Sequence, residues 1–226
     1  MFLTTDNKIK WRKMGVAAFI TAILVALGIA WFDKPVLLFL RKFDCDLWRY
    51  LDVVFAAKVW LVASFVAAAV FCCRKCVKTD CKFLLDVNKV KFWTFLRNFF
   101  VKTKTNTAFL IFYSVLSASV IVKVLKVFIG RERPILYEAL GLTGFYPPSW
   151  DWAFNSMPSG HTAVSFAGLV MIGMLAPKYK PLTWTLAIVI GVSRVAVGAH
   201  WPSDVILGAF IGMVVADIVK GRLLKK

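Results

Sequence analysis

The chain has 226 residues, of which 60% are hydrophobic, and its mean hydropathy is +0.72. Soluble globular domains are about 45–50% apolar, so this composition indicates an integral membrane protein and argues against a soluble enzyme. The formal net charge of +17 would suit a nucleic-acid-binding protein, but the basic residues lie mainly between the apolar runs. Lys and Arg in such positions are typical of loops that flank a membrane, and we expect no nucleic-acid partner.

Six apolar segments have the character of membrane-spanning helices. They are residues 14–32, 50–73, 107–125, 162–176, 182–199 and 205–219. The first segment is longer than the apolar part of a typical secretory signal, so we expect it to be retained as a span. The sequence therefore predicts an all-α fold, a six-transmembrane-helix bundle that forms a single domain over residues 1–226.

The basic residues are distributed unevenly between the two sides of this bundle. The N-terminus, the second and fourth connections and the C-terminus together contain 19 Lys and Arg residues, whereas the other three connections contain 7. Because Lys and Arg are enriched in cytoplasmic loops, we expect both termini to be cytoplasmic. The third and fifth connections would then face the periplasm or the exterior of a protein in the inner (cytoplasmic) membrane.

A basic segment with two unusual features separates the second and third spans. Residues 82–104 mix aromatic and aliphatic side chains with Lys and Arg, which favours an amphipathic helix in the membrane interface; a hydrophobic hairpin under the bundle is the alternative. Four of the five cysteines lie nearby, at Cys72, Cys73, Cys76 and Cys81. Their spacing is compatible with zinc, but no histidine is close, and reduced thiols at the membrane border are the favoured interpretation.

Two cations interrupt otherwise apolar spans. Lys58 lies in the second span and Arg194 in the fifth. A charge at membrane depth is costly unless it is paired or serves a site. We expect Lys58 to face the bundle interior without a functional role, and Arg194 to belong to a site at the outer end of its span.

Three polar segments fall at span ends that the predicted topology brings to one face. They are residues 126–134, 158–161 and 193–204. Their cations include Lys126, Arg133 and Arg194. Arginine binds phosphate oxygens in a bidentate manner, and a helix start at Ser159 and Gly160 adds a hydroxyl group and backbone donors suited to anions. Together these groups predict a phosphate site.

The only two histidines of the chain fall in the same segments. His200 and Asp204 are four residues apart, and Pro202 between them favours a helix start. A carboxylate that holds one imidazole nitrogen leaves the other free as a nucleophile. His161, in the first turn of the fourth span, can protonate a leaving oxygen. Taken singly, each of these polar residues also has an ordinary interpretation as an interfacial anchor or a helix-end hydrogen bond.

The patterns Lys-x6-Arg-Pro, Pro-Ser-Gly-His and Ser-Arg-x5-His-x3-Asp occur in this order over residues 126–204. They resemble the three signature motifs of the type 2 phosphatidic acid phosphatase family, which includes membrane lipid phosphatases, glucose-6-phosphatase and vanadium haloperoxidases. Every motif position is matched, over about a third of the chain. The six-span layout also resembles that of the bacterial lipid phosphatases.

The resemblance implies a role for each motif residue. His200 would attack phosphorus and form a phosphohistidine, Asp204 would orient His200, and His161 would protonate the leaving oxygen. The phosphoryl group would be bound by Lys126, Arg133, Ser159, the Gly160 N–H and Arg194. The resemblance implies no metal and no other cofactor.

We therefore expect a metal-independent lipid phosphatase that hydrolyses a phosphomonoester or pyrophosphate at the membrane–water border. Undecaprenyl pyrophosphate, phosphatidylglycerol phosphate and a lipid A phosphate are the candidate substrates. An aromatic rim at the headgroup level would consist of Tyr146, Trp150, Trp152 and Phe154. A lipid-to-lipid phosphotransferase with the same pocket, and a catalytically silent lipid carrier or scaffold, are the alternatives. A vanadate-dependent peroxidase is disfavoured by the membrane burial of the pocket.

Overall fold

The computed structural model describes residues 2–78 and 106–224, and within them the chain is helical, with isolated β-bridges and no strand. The α-helices, numbered in chain order, are α1 (Trp11–Leu27), α2 (Asp33–Arg41), α3 (Asp46–Val54), α4 (Ala57–Lys78), α5 (Thr107–Ile129), α6 (Pro134–Leu140), α7 (Gly160–Leu175), α8 (Lys180–Ala196) and α9 (Pro202–Leu223). The predicted all-α class is therefore confirmed. The amphipathic segment predicted at 82–104 and the side chains of the cysteine cluster, residues 72–81, lie outside the described part.

Three helical segments are long and apolar enough to cross a membrane: Trp11–Arg41, Thr107–Ile129 and Pro202–Leu223. Helices α3 and α4 form a fourth such segment if they are taken together across a 44° bend. Helix α7 is apolar but shorter, with 16 residues, and α8 has 17. These helices have the composition of a multi-pass membrane protein. That the chain crosses the membrane six times remains a prediction.

Residues 33–49, the first connection between the predicted spans, are largely helical. The chain continues from α1 through a π-helical turn (Gly28–Phe32) into α2, and α3 begins at Asp46. Proline disrupts a helix interior, because it lacks an N–H and its ring crowds the preceding turn. Pro35 instead stands in the first turn of α2, directly after the π-helical turn, where a missing N–H is tolerated. The continuation brings Asp33 to the end of the bundle that holds the motif residues.

Helix α7 lies at the centre of the bundle and contacts α4, α5, α8 and α9. Eleven of its 16 residues are buried. Glycines in α9 permit a close approach: a Cβ on Gly212 would lie 2.4 Å from Ala163 O, and one on Gly208 would lie 2.6 Å from Ser159 O. This packing places the first turns of α7 and α9 side by side.

The outer faces of the bundle are apolar, as a surface in contact with lipid requires. Helix α1 has no buried residue, and its Phe19 is 68% exposed. Trp31, in the π-helical turn that follows α1, is 74% exposed. Lys58 is also exposed, so the expectation that it faces the bundle interior was wrong. It stands beside the bend between α3 and α4, where a long side chain can extend its charged end away from apolar surroundings.

Candidate active site

The three motif segments meet at one end of the bundle, and hydrogen bonds to backbone carbonyls join them. The Ser159 N–H donates to Asp204 O at 2.9 Å, which joins the segment before α7 to the start of α9. Arg133 Nη1 donates to Ala199 O at 3.1 Å, which joins the segment after α5 to the turn between α8 and α9. Side chains far apart in sequence therefore face a common site.

His200 lies in the turn between α8 and α9 and is 2% exposed. Its Nδ1 is 3.6 Å from Asp204 Oδ2 and 3.4 Å from Ser156 Oγ, which leaves Nε2 as the ring nitrogen without these neighbours. Burial lowers the pKa of His200 well below its usual value, and nearby positive charges lower it further. Those charges belong to Lys126, Arg133, Arg194 and, when protonated, His161. The imidazole is therefore neutral at physiological pH.

Asp204 is completely buried in the first turn of α9, and donors surround its carboxylate. Oδ2 accepts hydrogen bonds from Ser156 Oγ (2.5 Å) and from the Trp201 N–H (3.0 Å). Oδ1 accepts a hydrogen bond from Arg131 Nη1 at 2.8 Å. Three charge-assisted hydrogen bonds fix the orientation of this carboxylate beside the imidazole of His200.

The three predicted cations lie around this pair but differ in their partners. Lys126, near the end of α5, donates to two backbone carbonyls of the segment that precedes α7. Arg133 donates to three backbone carbonyls and stacks 4.1 Å from the centre of the Trp152 ring; burial lowers its pKa to about 10, so it stays cationic. Arg194 is 4% exposed, and its Nε has no hydrogen-bond partner among residues 2–78 and 106–224. An unused buried donor of this kind is available to an anion.

His161 and Arg194 share an acidic partner that was not predicted as a site residue. Asp52, on α3, forms an ion pair with Arg194 Nη1 through Oδ1, and the same oxygen lies 3.3 Å from His161 Nε2. The Asp52 side chain is 37% exposed, so this contact is at the mouth of the site. His161 and Arg194, which are 109 and 142 residues from Asp52 in the chain, thus converge on one carboxylate oxygen.

The start of α7 lies at Gly160, with Ser159 as its N-cap residue, as predicted. The Ser159 side chain makes no capping hydrogen bond, and its hydroxyl oxygen accepts a hydrogen bond from Thr162 Oγ1 at 2.9 Å. A Cβ on Gly160 would lie 3.7 Å from Lys126 Cε, so the lysine side chain passes over the helix start. All eight predicted site residues therefore lie at the same end of the bundle.

Further polar residues of the site were missed by the sequence analysis, namely Asp33, Asp52, Arg131 and Ser156. Arg131 stands two residues before Arg133 in the same polar segment, and that position was the available signal. Asp33 follows directly after an apolar run. A carboxylate at the end of a membrane span costs free energy unless it is paired, so its position was a signal for a polar site. Nothing in the local sequence distinguishes Ser156 from other loop serines.

A sequence model of the PAP2 superfamily matches residues 107–222, about half of the chain. The lipid A 1-phosphatase of Rhizobium johnstonii is 39% identical over 102 residues, which are 45% of this chain and 42% of that protein. The undecaprenyl-diphosphatase of Sulfolobus acidocaldarius is 41% identical over 61 residues (25% of this chain and 28% of that protein). Phosphatidylglycerophosphatase B of Bacillus subtilis is 30% identical over 110 residues (44% and 49%).

Each match spans less than half the length of the relative concerned. No solved structure is significantly similar to this chain. The extent of the superfamily match confirms the resemblance carried by the motifs: the chain belongs to the PAP2 superfamily.

Proposed function

We propose that this protein is an integral membrane lipid phosphatase that hydrolyses a phosphomonoester or a pyrophosphate on a lipid headgroup. Membership of the PAP2 superfamily supports this proposal. So do the relatives, which are named as a lipid A 1-phosphatase, an undecaprenyl-diphosphatase and a phosphatidylglycerophosphatase. The exposed apolar faces of the helices support a location in the membrane.

The observation that carries the proposal is a set of buried cations gathered around a neutral imidazole. Arg194 keeps an unpaired Nε–H inside the site, and its Nη1 already holds the carboxylate of Asp52. Carboxylate and phosphoryl oxygens are bound by the same charged donors. The Asp52 oxygen therefore marks a position that a phosphoryl oxygen is suited to occupy, within reach of His161.

In the proposed reaction Nε2 of His200 attacks phosphorus, and an N–P bond forms while the bond to the leaving oxygen breaks. Asp204, behind Nδ1, stabilises the positive charge that the ring acquires. His161 gives a proton to the leaving oxygen. Burial and the charges of Lys126 and Arg133 lower the pKa of His161 to about 4, and the negative charge of the bound phosphoryl group opposes this shift. Water then attacks phosphorus, its proton passes to His161, and the N–P bond breaks to release inorganic phosphate. The phosphoryl oxygens would be stabilised by Lys126, Arg133, Ser159, the Gly160 N–H and Arg194.

We further propose one domain with six spans in the inner membrane, both termini in the cytoplasm, and the site facing the periplasm or exterior. Basic residues at the end of the bundle opposite the site support this orientation. In the described part of that end they include Lys178, Lys180, Lys220 and Arg222.

An aromatic rim supports access from the lipid headgroup region. Trp150 and Trp152 are 84% and 62% exposed, and Tyr146 is 48% exposed against Phe154 at a ring distance of 4.9 Å. Trp and Tyr are favoured where headgroups meet the hydrocarbon. Because Trp152 also stacks on Arg133, this rim adjoins the cations of the site.

Phosphate release by the detergent-purified protein tests the proposal. The panel contains a lipid A phosphate, undecaprenyl pyrophosphate and phosphatidylglycerol phosphate, each with and without EDTA. We expect release from at least one lipid, no effect of EDTA, and loss of release in His200→Ala. Arg49→Gln, which removes a cation that is 67% exposed, is the control and should match wild type. Release that persists in His200→Ala would contradict the proposed nucleophile.

The same assay separates the alternatives. Transfer of a radiolabelled phosphoryl group to a second lipid, in place of free phosphate, would identify a phosphotransferase. Lipid binding that is unchanged in His161→Ala, without turnover of any lipid, would identify a silent carrier.

A further inference from the structure

An acidic residue reaches the site from outside the region that matches the superfamily. Asp33 begins α2, whereas the match begins at residue 107. Its side chain is 3% exposed, at the end of an otherwise apolar helical segment. A carboxylate in such surroundings is costly unless donors satisfy its oxygens.

The donors come from two other elements. Asp33 Oδ1 accepts a hydrogen bond from the Ser203 N–H at 2.9 Å, and Oδ2 accepts one from Ser203 Oγ at 2.5 Å. Ser203 lies in the first turn of α9, where backbone N–H groups have no partner within the helix. Asp33 thus caps α9 from a distant part of the chain, and a Cβ on Gly28 would lie only 2.8 Å from Ser203 Cβ, so the two segments pack closely.

Arg131 connects this cap to the carboxylate beside His200. Its Nη2 donates to Asp33 Oδ2 at 2.8 Å, and its Nη1 donates to Asp204 Oδ1 at 2.8 Å. The guanidinium is 6% exposed and lies 5.2 Å from the centre of the Trp201 ring. One planar cation is therefore shared between two buried carboxylates, and the position of either carboxylate constrains the other.

We propose that Asp33 and Arg131 are positioning residues: together they fix the Asp204 carboxylate behind His200, and the N-terminal helical segment is part of the catalytic apparatus. Neither residue is placed to touch the substrate. The catalytic consequence rests on the proposed phosphatase function, whereas the effect on His200 can be observed without turnover.

The kinetic test uses Asp33→Asn, which keeps the shape of the side chain and removes its charge. A misdirected carboxylate displaces the imidazole by a fraction of an ångström, so we expect kcat to fall about tenfold to a hundredfold with KM within about twofold of wild type. Asp46→Asn, which removes an acid that is 89% exposed, is the matched control and should leave both constants unchanged.

The pH profile adds a readout that a purely structural role would not move. Arg131→Gln removes a positive charge beside Asp204, so the pKa of His200 and the acid limb of kcat/KM should rise. Asp33→Asn removes a negative charge, so the acid limb should move to lower pH, in the opposite direction. The cations that act on His200 from the other elements (Lys126, Arg133, Arg194 and protonated His161) are unchanged in both variants.

The activity-independent test is the ring ¹⁵N spectrum of His200 in protein labelled at histidine. The chain has two histidines, so His161→Gln assigns both sets of signals. We expect wild type to carry the proton on Nδ1, facing Asp204, and Asp33→Asn to show a mixture of the two tautomers. If Asp33→Asn does not fold, Ser203→Ala takes its place. It removes the hydroxyl that donates to Asp33 Oδ2 without burying an unpaired charge, and His200 should show the same mixture of tautomers.

Unchanged His200 signals in Asp33→Asn, or kinetics equal to those of the Asp46→Asn control, would overturn the inference. A wild-type protein that releases no phosphate but shows the expected tautomer change would reject the proposed function and retain the positioning role. The two failures are therefore distinguishable.

Discussion

Asp52 gives the most quantitative prediction, because its carboxylate occupies the mouth of the proposed oxyanion site. It pairs with Arg194 and lies 3.3 Å from His161 Nε2, with 37% of the side chain exposed. Two unit charges about 4 Å apart interact by about 4 kcal/mol near a protein surface and by about 1 kcal/mol in water. The exposure of Asp52 argues for the lower end, about 1–1.5 kcal/mol.

A bound phosphate has to displace this carboxylate or accept its repulsion. Asp52→Asn removes the competing charge, and since 1.4 kcal/mol corresponds to about a tenfold change in binding, inorganic phosphate should bind about tenfold more tightly. The assay is competitive product inhibition of lipid hydrolysis, measured as the inhibition constant for phosphate. Asp46→Asn on the same helix is the control, since that carboxylate is 89% exposed and should have no effect.

The refuting result is an inhibition constant in Asp52→Asn that equals or exceeds that of wild type. Asp52 would then not compete for the position of a phosphoryl oxygen. A lower kcat with an unchanged inhibition constant would contradict the reasoning in another way, because it would show that Asp52 assists His161 during turnover.

Two further predictions concern the imidazole and the helix packing. Burial and nearby cations lower the pKa of His200, so its imidazole stays neutral in mildly acidic solution. The acid limb of the kcat/KM profile should therefore lie below pH 6.5, the usual pKa of histidine. Arg133→Gln should move that limb to higher pH, and a wild-type limb at or above pH 6.5 would contradict the argument. Gly212→Ala places a Cβ 2.4 Å from Ala163 O, so it should lower the midpoint of thermal unfolding in detergent, at a cost of about 1–3 kcal/mol. Gly15→Ala is the control, since a Cβ at that position has no neighbouring atom within 4 Å. Equal unfolding midpoints for the two variants would contradict the close packing of α7 against α9.

Local signals predicted several helix boundaries correctly. Pro202 stands at the first position of α9, and Ser159 immediately precedes α7, as the sequence indicated. Proline and a small polar residue favour helix starts through their own backbone geometry and hydrogen bonding, so their effect does not depend on the fold. The helical structure of residues 33–41 was not evident from the sequence, because the buried partners that stabilise Asp33 there come from remote parts of the chain.

The site was predictable only in part for the same reason. His161, His200 and Asp204 fall in spaced motifs, and the spacing itself carries the information. Asp33 is 98 residues from Arg131 and 170 residues from Ser203, and no pattern in a single sequence pairs such positions. The chain has 12 acidic residues and 29 Lys and Arg residues, so composition alone does not indicate which acid meets which cation.

The central claim is that His200 is the nucleophile in a cradle of cations, and trapping of the covalent intermediate tests it most directly. The purified protein is mixed with a ³²P-labelled lipid substrate, quenched in alkali, in which phosphohistidine is stable, and digested for peptide mapping. We predict label on the peptide that contains His200, none in His200→Ala, and stronger labelling of wild type at early times than after turnover is complete. Phosphate release without label on His200, or label on any other residue, would contradict the account.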